Sequence, residues 1–306
     1  MFTVRVPATI ANMGPGFDSF GLAVSLYNRF TFNIAEPGQA DSLSFAASGN
    51  ADLSALAGEA ASENIILQAM DRLYAKAGQI RPAMRVVIQA DIPVTRGLGS
   101  SSTAIVAGLL AANQLLGEPF EQDVLLTEAI AMEGHPDNVA PALLGGAVLY
   151  DTVAYALPWP SEWRVITLSP TYPIRTDEAR RILPQQFSMS DAIFNLRKAS
   201  VLTYALLQGD PDALRHSLQD KLHQPYRRHL IPEYETIESV VMDAGAYGMI
   251  ISGSGSTMAV FYPTVIHAGL IDKLDRLIHE NNWAIERHDL AVDTEGAQIE
   301  AVAIAG

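Results

Sequence analysis

The stretch Pro93-Val94-Thr95-Arg96-Gly97-Leu98-Gly99-Ser100-Ser101-Ser102-Thr103 holds the residue types that a phosphate site needs. Two glycines one residue apart let a backbone come close to a ligand, and the hydroxyls that follow open a long apolar segment. If that segment is a helix, the free N–H groups of its first turn form an anion site, with the helix dipole behind them. Phosphate is the usual occupant. A Walker loop would need a lysine that is missing here, and a dinucleotide fingerprint would need glycine at 102, where the chain has Ser102. A plain Gly-Ser turn capping a core helix is the alternative at this point.

Three further segments could do chemistry. Ser252-Gly253-Ser254-Gly255-Ser256-Thr257 is a second glycine-rich turn, able to close on the same polyphosphate or to serve as a tight hairpin. Glu133-Gly134-His135-Pro136-Asp137-Asn138 brings a carboxylate, an imidazole, a second carboxylate and an amide into six residues, with Gly134 and Pro136 restricting the backbone. Glu133 suits magnesium, a hard cation that takes oxygen ligands. His135 and Asp137 could orient a substrate or move a proton. The other reading is a polar loop ending a helix. Asn12-Met13-Gly14-Pro15-Gly16-Phe17-Asp18 is a rigid loop that presents an amide and a carboxylate, the latter suited to an ammonium group. A simple strand-to-strand turn is its competitor.

These loops sit between recognisable elements. Residues 3–6, 27–34 and 84–90 alternate as strands do, and 38–58 reads as loop or hairpin. Apolar residues recur at helical spacing from Ser62 to Gly78, and a long apolar helix follows the first glycine loop to about Leu116. A helix over 121–132 leads into the Glu133 segment. Strands are expected at 145–150, 164–168, 249–252, 258–262 and 284–290, and helices at 177–183, 191–208, 212–222, 234–244 and 267–281. Strand-rich beginnings and helix-rich later segments give α+β or mixed α/β, with a soft boundary near residue 150.

Composition limits the function. The chain has 306 residues, 49% hydrophobic and 18% charged, enough for a substantial core. Its 20 Lys+Arg against 34 Asp+Glu give a net charge of −14, which disfavours nucleic acid and anionic membranes as partners. Cysteine is absent, so disulfides, thiolate metal sites and cysteine nucleophiles are excluded, consistent with a cytoplasmic location. No signal peptide or membrane span is read.

Together the four segments resemble the GHMP kinases. Pro93 to Ser101 meets the family's central Pro-x-x-x-Gly-Leu-Gly-Ser-Ser signature, and Ile251 to Thr257 its glycine-rich third motif. Val4 to Asp18, Glu133 to Pro141, Ala179-Arg180 with Ile182-Leu183-Pro184, and Pro225-Tyr226-Arg227 are similar to the members that phosphorylate L-homoserine. The resemblance implies an α+β fold of two halves, 1–150 with the phosphate loop and 151–306, with the active site in the cleft between them. It implies ATP and Mg2+ as cofactors, L-homoserine as the small-molecule substrate, and a step on the route to threonine. Pro93, Arg96, Gly97, Leu98, Gly99, Ser100, Ser101, Ser102 and Thr103 would bind ATP, and Ser101 with Glu133 the metal. Asn12, Asp18, His135, Arg180 and Arg227 would bind the amino acid. Asn138 would position the reacting groups, Asp137 would take part in proton transfer, and Arg180 also counts among the catalytic residues. Homodimers are common in the family. A relative acting on mevalonate or a sugar, and a non-catalytic ligand-binding homologue, stand as alternatives.

Overall fold

A computed structural model describes residues 1–46 and 64–301 of the chain. Strands β1 (Phe2–Ala11) and β2 (Phe20–Ile34) pair antiparallel, with the Gly14-Pro15-Gly16 turn in the link between them. Their register shifts between Pro7 and Ala8. On one side of this irregularity Val4, Val6, Phe30 and Phe32 pack into one core; on the other Ala8, Ile10, Leu22 and Val24 pack into a second. β3 (Ser42–Phe45) falls in the stretch expected to be loop or hairpin and pairs parallel with β4 (Met84–Ala90). Residues 47–58 of that stretch, and the expected helix start at Ser62, lie outside the described residues.

Helix α1 (Ile65–Lys76) begins where the Asn64 side chain accepts the Ile66 N–H, and it ends just before Gly78. α2 (Ser100–Leu115) is apolar on nearly every face because it is buried on nearly every face. Gly108 lets α1 lie against it, since a Cβ there would stand 2.4 Å from the Ile66 carbonyl oxygen. α3 (Gln122–Glu133) stops at Gly134, whose φ of +90° turns the chain.

The segment after Glu133, expected as a polar stretch closing a helix, opens a new one, α4 (Pro136–Leu144). Proline suits the first helical position, where its N–H would have no partner and its φ is already helical. β5 (Ala147–Tyr150) and β6 (Ala154–Leu157) form a hairpin attached to β2.

β7 (Trp163–Pro170) opens a second sheet, followed by α5 (Thr176–Arg181), α6 (Met189–Gln208), α7 (Pro211–Ser217) and α8 (Gln224–Arg227). α7 ends earlier than its spacing suggested. The Asp220 carboxylate accepts the N–H groups of Leu222, His223 and Gln224 and starts the next helix instead. α9 (Tyr234–Asp243), β8 (Gly248–Ile251), β9 (Met258–Pro263), α10 (His267–Glu280), β10 (Ile285–Leu290) and β11 (Gln298–Ala301) complete the described chain.

Among the described residues, one sheet has the order β11-β1-β2-β4-β3 with β5 and β6 attached through β2, and the other has the order β10-β7-β9-β8. The first sheet thus takes strands from both ends of the chain. α1 to α4 cover one of its faces through Met70, Ile105, Leu126 and Val139. Ile10, Leu22, Val165 and Phe261 fill the space between the sheets with Leu202 and Leu206 of α6. α9 and α10 cover the second sheet through Ile237 and Leu274. Helices and strands are segregated in layers, which is an α+β architecture. Among the described residues, no helix is long and apolar enough to cross a membrane.

Candidate active site

A cleft of about 580 Å³ opens where the starts of α2 and α4 meet the second sheet's glycine turn and the ends of α5 and α8. Its floor is the Pro93–Thr103 loop. Thr95, Gly97 and Gly99 all have φ between +57° and +83°, which carries the chain round to the start of α2. Gly99 caps α2 without a side-chain hydrogen bond, and the first N–H to find a helical partner is that of Thr103. The N–H groups of Ser100, Ser101 and Ser102 are left for a ligand.

The two glycine turns pack directly on each other. Ser252 Oγ donates to the Gly97 carbonyl at 2.5 Å, and the Thr257 N–H donates to the Arg96 carbonyl at 3.0 Å. A Cβ on Gly97 would stand 2.1 Å from the Ser252 carbonyl oxygen, so the close approach admits only glycine. Arg96 reaches the cleft with its Nε buried and without a hydrogen-bond partner.

Gly97, Gly99, Ser100 and Ser101 line the cleft. Pro93 and Leu98 do not: Leu98 is fully buried in the core between the sheets. Thr103 also turns inward, its hydroxyl donating to the Ser100 carbonyl and accepting from Asn28 Nδ2. Ser102 is buried and reaches Glu133. Glu133 Oε1 accepts from Ser102 Oγ at 2.9 Å and from Ser101 Oγ at 3.2 Å. A carboxylate and two hydroxyls beside free N–H groups form a set of hard oxygen donors, which fits magnesium.

The other end of the cleft gathers groups far apart in sequence. Arg180 grips Asp18 with two hydrogen bonds, Nη2 to Oδ1 at 2.8 Å and Nη1 to Oδ2 at 3.2 Å. Arg227 is 2% exposed, yet no carboxylate pairs with it among the described residues. Its Nη1 donates to the Gly253 carbonyl at 2.8 Å and its Nε to the Ala179 carbonyl at 3.3 Å. Burial, then the neighbouring Arg180 charge, push its pKa down to about 10, so it stays cationic at neutral pH. Both guanidiniums lie over the Phe17 ring, Arg180 at 5.6 Å and Arg227 at 5.2 Å from its centroid.

Asn12 has φ +70° and uses its amide on the backbone, accepting from the Asp18 N–H and donating to the Gly253 carbonyl. Asn138 Oδ1 accepts from the Thr9 hydroxyl at 2.7 Å, which leaves Nδ2 as the edge that faces the cleft. His135 Nδ1 and Asp137 Oδ1 are 2.6 Å apart. Ligand atoms of Asp18, His135 and Asp137 all lie within 4.8 Å of one another, a carboxylate pair balanced by Arg180 on one side and the imidazole on the other.

Burial pushes the His135 imidazole down, but the Asp137 hydrogen bond and the charges of Asp137, Glu133 and Asp18 outweigh it, and its pKa rises above the ordinary 6.5. The protonated ring therefore stabilises the fold. That contribution is fully present below about pH 6.5 and is lost as pH rises through the higher folded value. Urea unfolding should show stability falling across that window, with the fall flattened in His135→Gln. An equal slope in both proteins would place the effect elsewhere.

Two features had little sequence signal. Phe30, Phe45, Ile65, Ile88, Ala90 and Ala104 form an apolar arm of the cleft, flanked by Asn64. As strand and helix residues they look like core, and Phe30, Ile88 and Ala90 are buried in it; the tertiary structure adds that they also border the cleft. Phe17 belongs to a recognisable loop, but its contact with two arginines depends on α5 and α8.

The chain is similar to known proteins along nearly its whole length. Residues 64–146 match the model of the GHMP kinases N terminal domain, and residues 202–269 that of the GHMP kinases C terminal. A homoserine kinase of Synechocystis sp. is 42% identical over 303 residues, covering 97% of this chain and 98% of the relative. One from Trichormus variabilis is 42% identical over 300 residues, covering 96% and 97%. The crystal structure of homoserine kinase from Cytophaga hutchinsonii superposes with a TM-score of 0.88 at 29% identity, covering 97% of this chain and 96% of that one. With matches to both family models and relatives of this similarity along nearly its whole length, the chain belongs to the GHMP kinase family.

Proposed function

We propose that the protein transfers the γ-phosphoryl group of ATP to the side-chain hydroxyl of L-homoserine, giving ADP, O-phospho-L-homoserine and a proton, a step on the route to threonine. One observation carries this reading. A single cleft has a free helix start at one end and, at the other, a carboxylate cluster beside two guanidiniums. The first suits a polyphosphate and the second suits a zwitterion. Mevalonate has a carboxylate but no ammonium and would leave Asp18 unmatched, and a neutral sugar would leave Asp18, Arg180 and Arg227 all unmatched.

The phosphates of ATP accept from the N–H groups of Ser100, Ser101 and Ser102, with the dipole of α2 behind them. Its base takes the apolar arm beside Asn64. Ser101 and Glu133 would hold Mg2+, which when bound neutralises phosphate charge as the transition state forms. Arg96, with its unpaired Nε, supplies a further cation toward the phosphates.

Homoserine exchanges partners with the resting ion pair. Its carboxylate takes Arg180 and the free Nη2 of Arg227, and its ammonium takes Asp18. His135 closes the pocket beside them. Asn12 and Asn138 Nδ2 hold the reacting hydroxyl in line. Phosphoryl transfer through a loose transition state depends mainly on positioning and charge, so a weak base suffices. Asp137 Oδ2 is available for the hydroxyl proton, since Oδ1 is committed to His135. Asp137→Asn is expected to lower kcat by about a hundredfold with little change in either KM. Retained turnover would assign the proton to the phosphate itself. We place the reaction in the cytoplasm, where ATP and free amino acids are kept.

The test is ADP release with ATP and magnesium against a panel of hydroxy amino acids, sugars and mevalonate. Homoserine should be phosphorylated on its hydroxyl. Product from mevalonate or a sugar, and none from homoserine, would overturn the assignment, and no turnover with any alcohol would leave a binding protein.

A further inference from the structure

Beneath the amino-acid end of the cleft lies a hydrogen-bonded network that the reaction described above does not use. Asn195, Asp220 and His223 are 4%, 9% and 0% exposed, and none of them lines the cleft. Asp220 Oδ1 accepts from Asn195 Nδ2 and the Leu222 N–H, and Oδ2 from the N–H groups of His223 and Gln224. Asn195 also donates to the Pro15 carbonyl at 3.2 Å, and its Oδ1 accepts the Lys221 N–H at 2.8 Å. This ties α6 and the start of α8 to the N-terminal loop.

His223 stands between that loop and the binding arginine. Its Nε2 is 2.8 Å from the Gly14 carbonyl oxygen, and its Nδ1 is 3.4 Å from Arg227 Nη1. A carbonyl only accepts and a guanidinium only donates. The ring must therefore carry its hydrogen on Nε2 and offer a lone pair at Nδ1. Only this neutral tautomer satisfies both neighbours, because a second proton would aim an N–H at the guanidinium.

Burial pushes the imidazole pKa below its ordinary value and Arg227 adds to that; Asp220, the Gly14 carbonyl and Asp137 act the other way without reversing it. The Phe17 ring, 5.2 Å away centroid to centroid, is the uncharged neighbour on the loop side.

Arg227 has five N–H donors. Gly253, Ala179 and His223 take three of them through Nη1 and Nε. Both hydrogens on Nη2 are left for the cleft. Through the Gly14 carbonyl, the His223 contact ties the guanidinium to the loop carrying Asp18, alongside the Phe17 ring and the Gly253 carbonyl that Arg227 shares with Asn12.

We propose that His223 is a positioning residue: as the Nε2–H tautomer it fixes Arg227 against the Asn12–Asp18 loop and so keeps the carboxylate and ammonium sites of the substrate in register. This rests on the amino-acid reading of that end of the cleft, and it adds a device that sets substrate affinity without touching substrate.

The test compares His223→Phe, which keeps a ring against Phe17 but offers neither hydrogen-bonding nitrogen, with His223→Asn, which restores an acceptor near the Nδ1 position. His223→Phe should raise the homoserine KM about tenfold or more, with kcat and the ATP KM within about twofold. His223→Asn should recover most of the loss. An unchanged homoserine KM in His223→Phe, or an equal rise in both KM values, would overturn the proposal.

Should His223→Phe fail to fold, 15N spectra of histidine-labelled wild-type protein decide. A protonated Nε2 and unprotonated Nδ1 across about pH 6 to 8 support the assignment, and a protonated Nδ1 refutes it. The two readings fail separately. A wild-type protein inactive on homoserine defeats the substrate, while the imidazole spectra still judge the geometry. An active protein indifferent to His223→Phe defeats only the positioning role.

Discussion

Glu133→Ala is expected to lower kcat/KM by two to three orders of magnitude, about 3–4 kcal/mol of transition-state stabilisation, while the protein keeps its fold. The carboxylate sits at the end of α3 and meets the start of α2 through the Ser101 and Ser102 hydroxyls. Its removal takes an oxygen ligand from the proposed magnesium site and leaves the two hydroxyls unpaired at the phosphate-binding end. The hydroxyls can turn to water or to the backbone, so the structural loss is small beside the catalytic one. Titrating magnesium separates the causes. The variant should need far more metal for half-maximal rate and recover part of its activity at high concentration. Wild-type metal dependence together with wild-type rate would remove Glu133 from the site.

Arg227→Ala should have the second large effect, raising the homoserine KM by about a hundredfold and the ATP KM by no more than about threefold. Truncating one partner of a buried charge pair costs about 2–5 kcal/mol, and here the pair forms only when the substrate carboxylate arrives. Without substrate the guanidinium is held by carbonyl oxygens, the His223 ring and the Phe17 face, and burial with the nearby Arg180 has already pushed its pKa down to about 10. The fold keeps this charge at a cost, so the melting temperature should shift by only about a few degrees. Arg227→Lys keeps the charge but not the planar fork, and should recover only part of the affinity. Equal increases in both KM values would show that Arg227 supports the cleft as a whole and does not read the carboxylate.

The two ends of the cleft, proposed for the anion and for the amino acid, were legible in the sequence to different degrees. Gly97, Gly99 and the serines beyond them announce a helix start with free N–H groups, because left-handed backbone and capping are properties of a few adjacent residues. The Glu133–Asn138 cluster was visible as chemistry but not as structure. Its helix begins at a proline directly after a glycine stop, and such a break reads equally well as a loop. Arg180 and Arg227 carried no local signal, since most arginines are solvated; their matching contexts alone singled them out. Pro93, Leu98 and Thr103 belong to the same motif as Gly97 and Ser101, yet their side chains turn away from the cleft, because a loop that wraps a ligand must also anchor itself in the core.

Read alone, the residues disclose the mixture of strands and helices, a glycine-serine loop at a helix start and the family. The first two rest on periodicity and turn chemistry within a short window, and the family on several short motifs taken together from Val4 to Thr257. It takes the folded chain to bring Asp18 to Arg180 across 162 residues, to close Ser252 on Gly97, and to bridge Gly14 and Arg227 through His223. Those contacts follow from how two sheets and their helices pack around shared cores. Sheet register and burial are set by the whole chain at once, and no short segment encodes its distant partner.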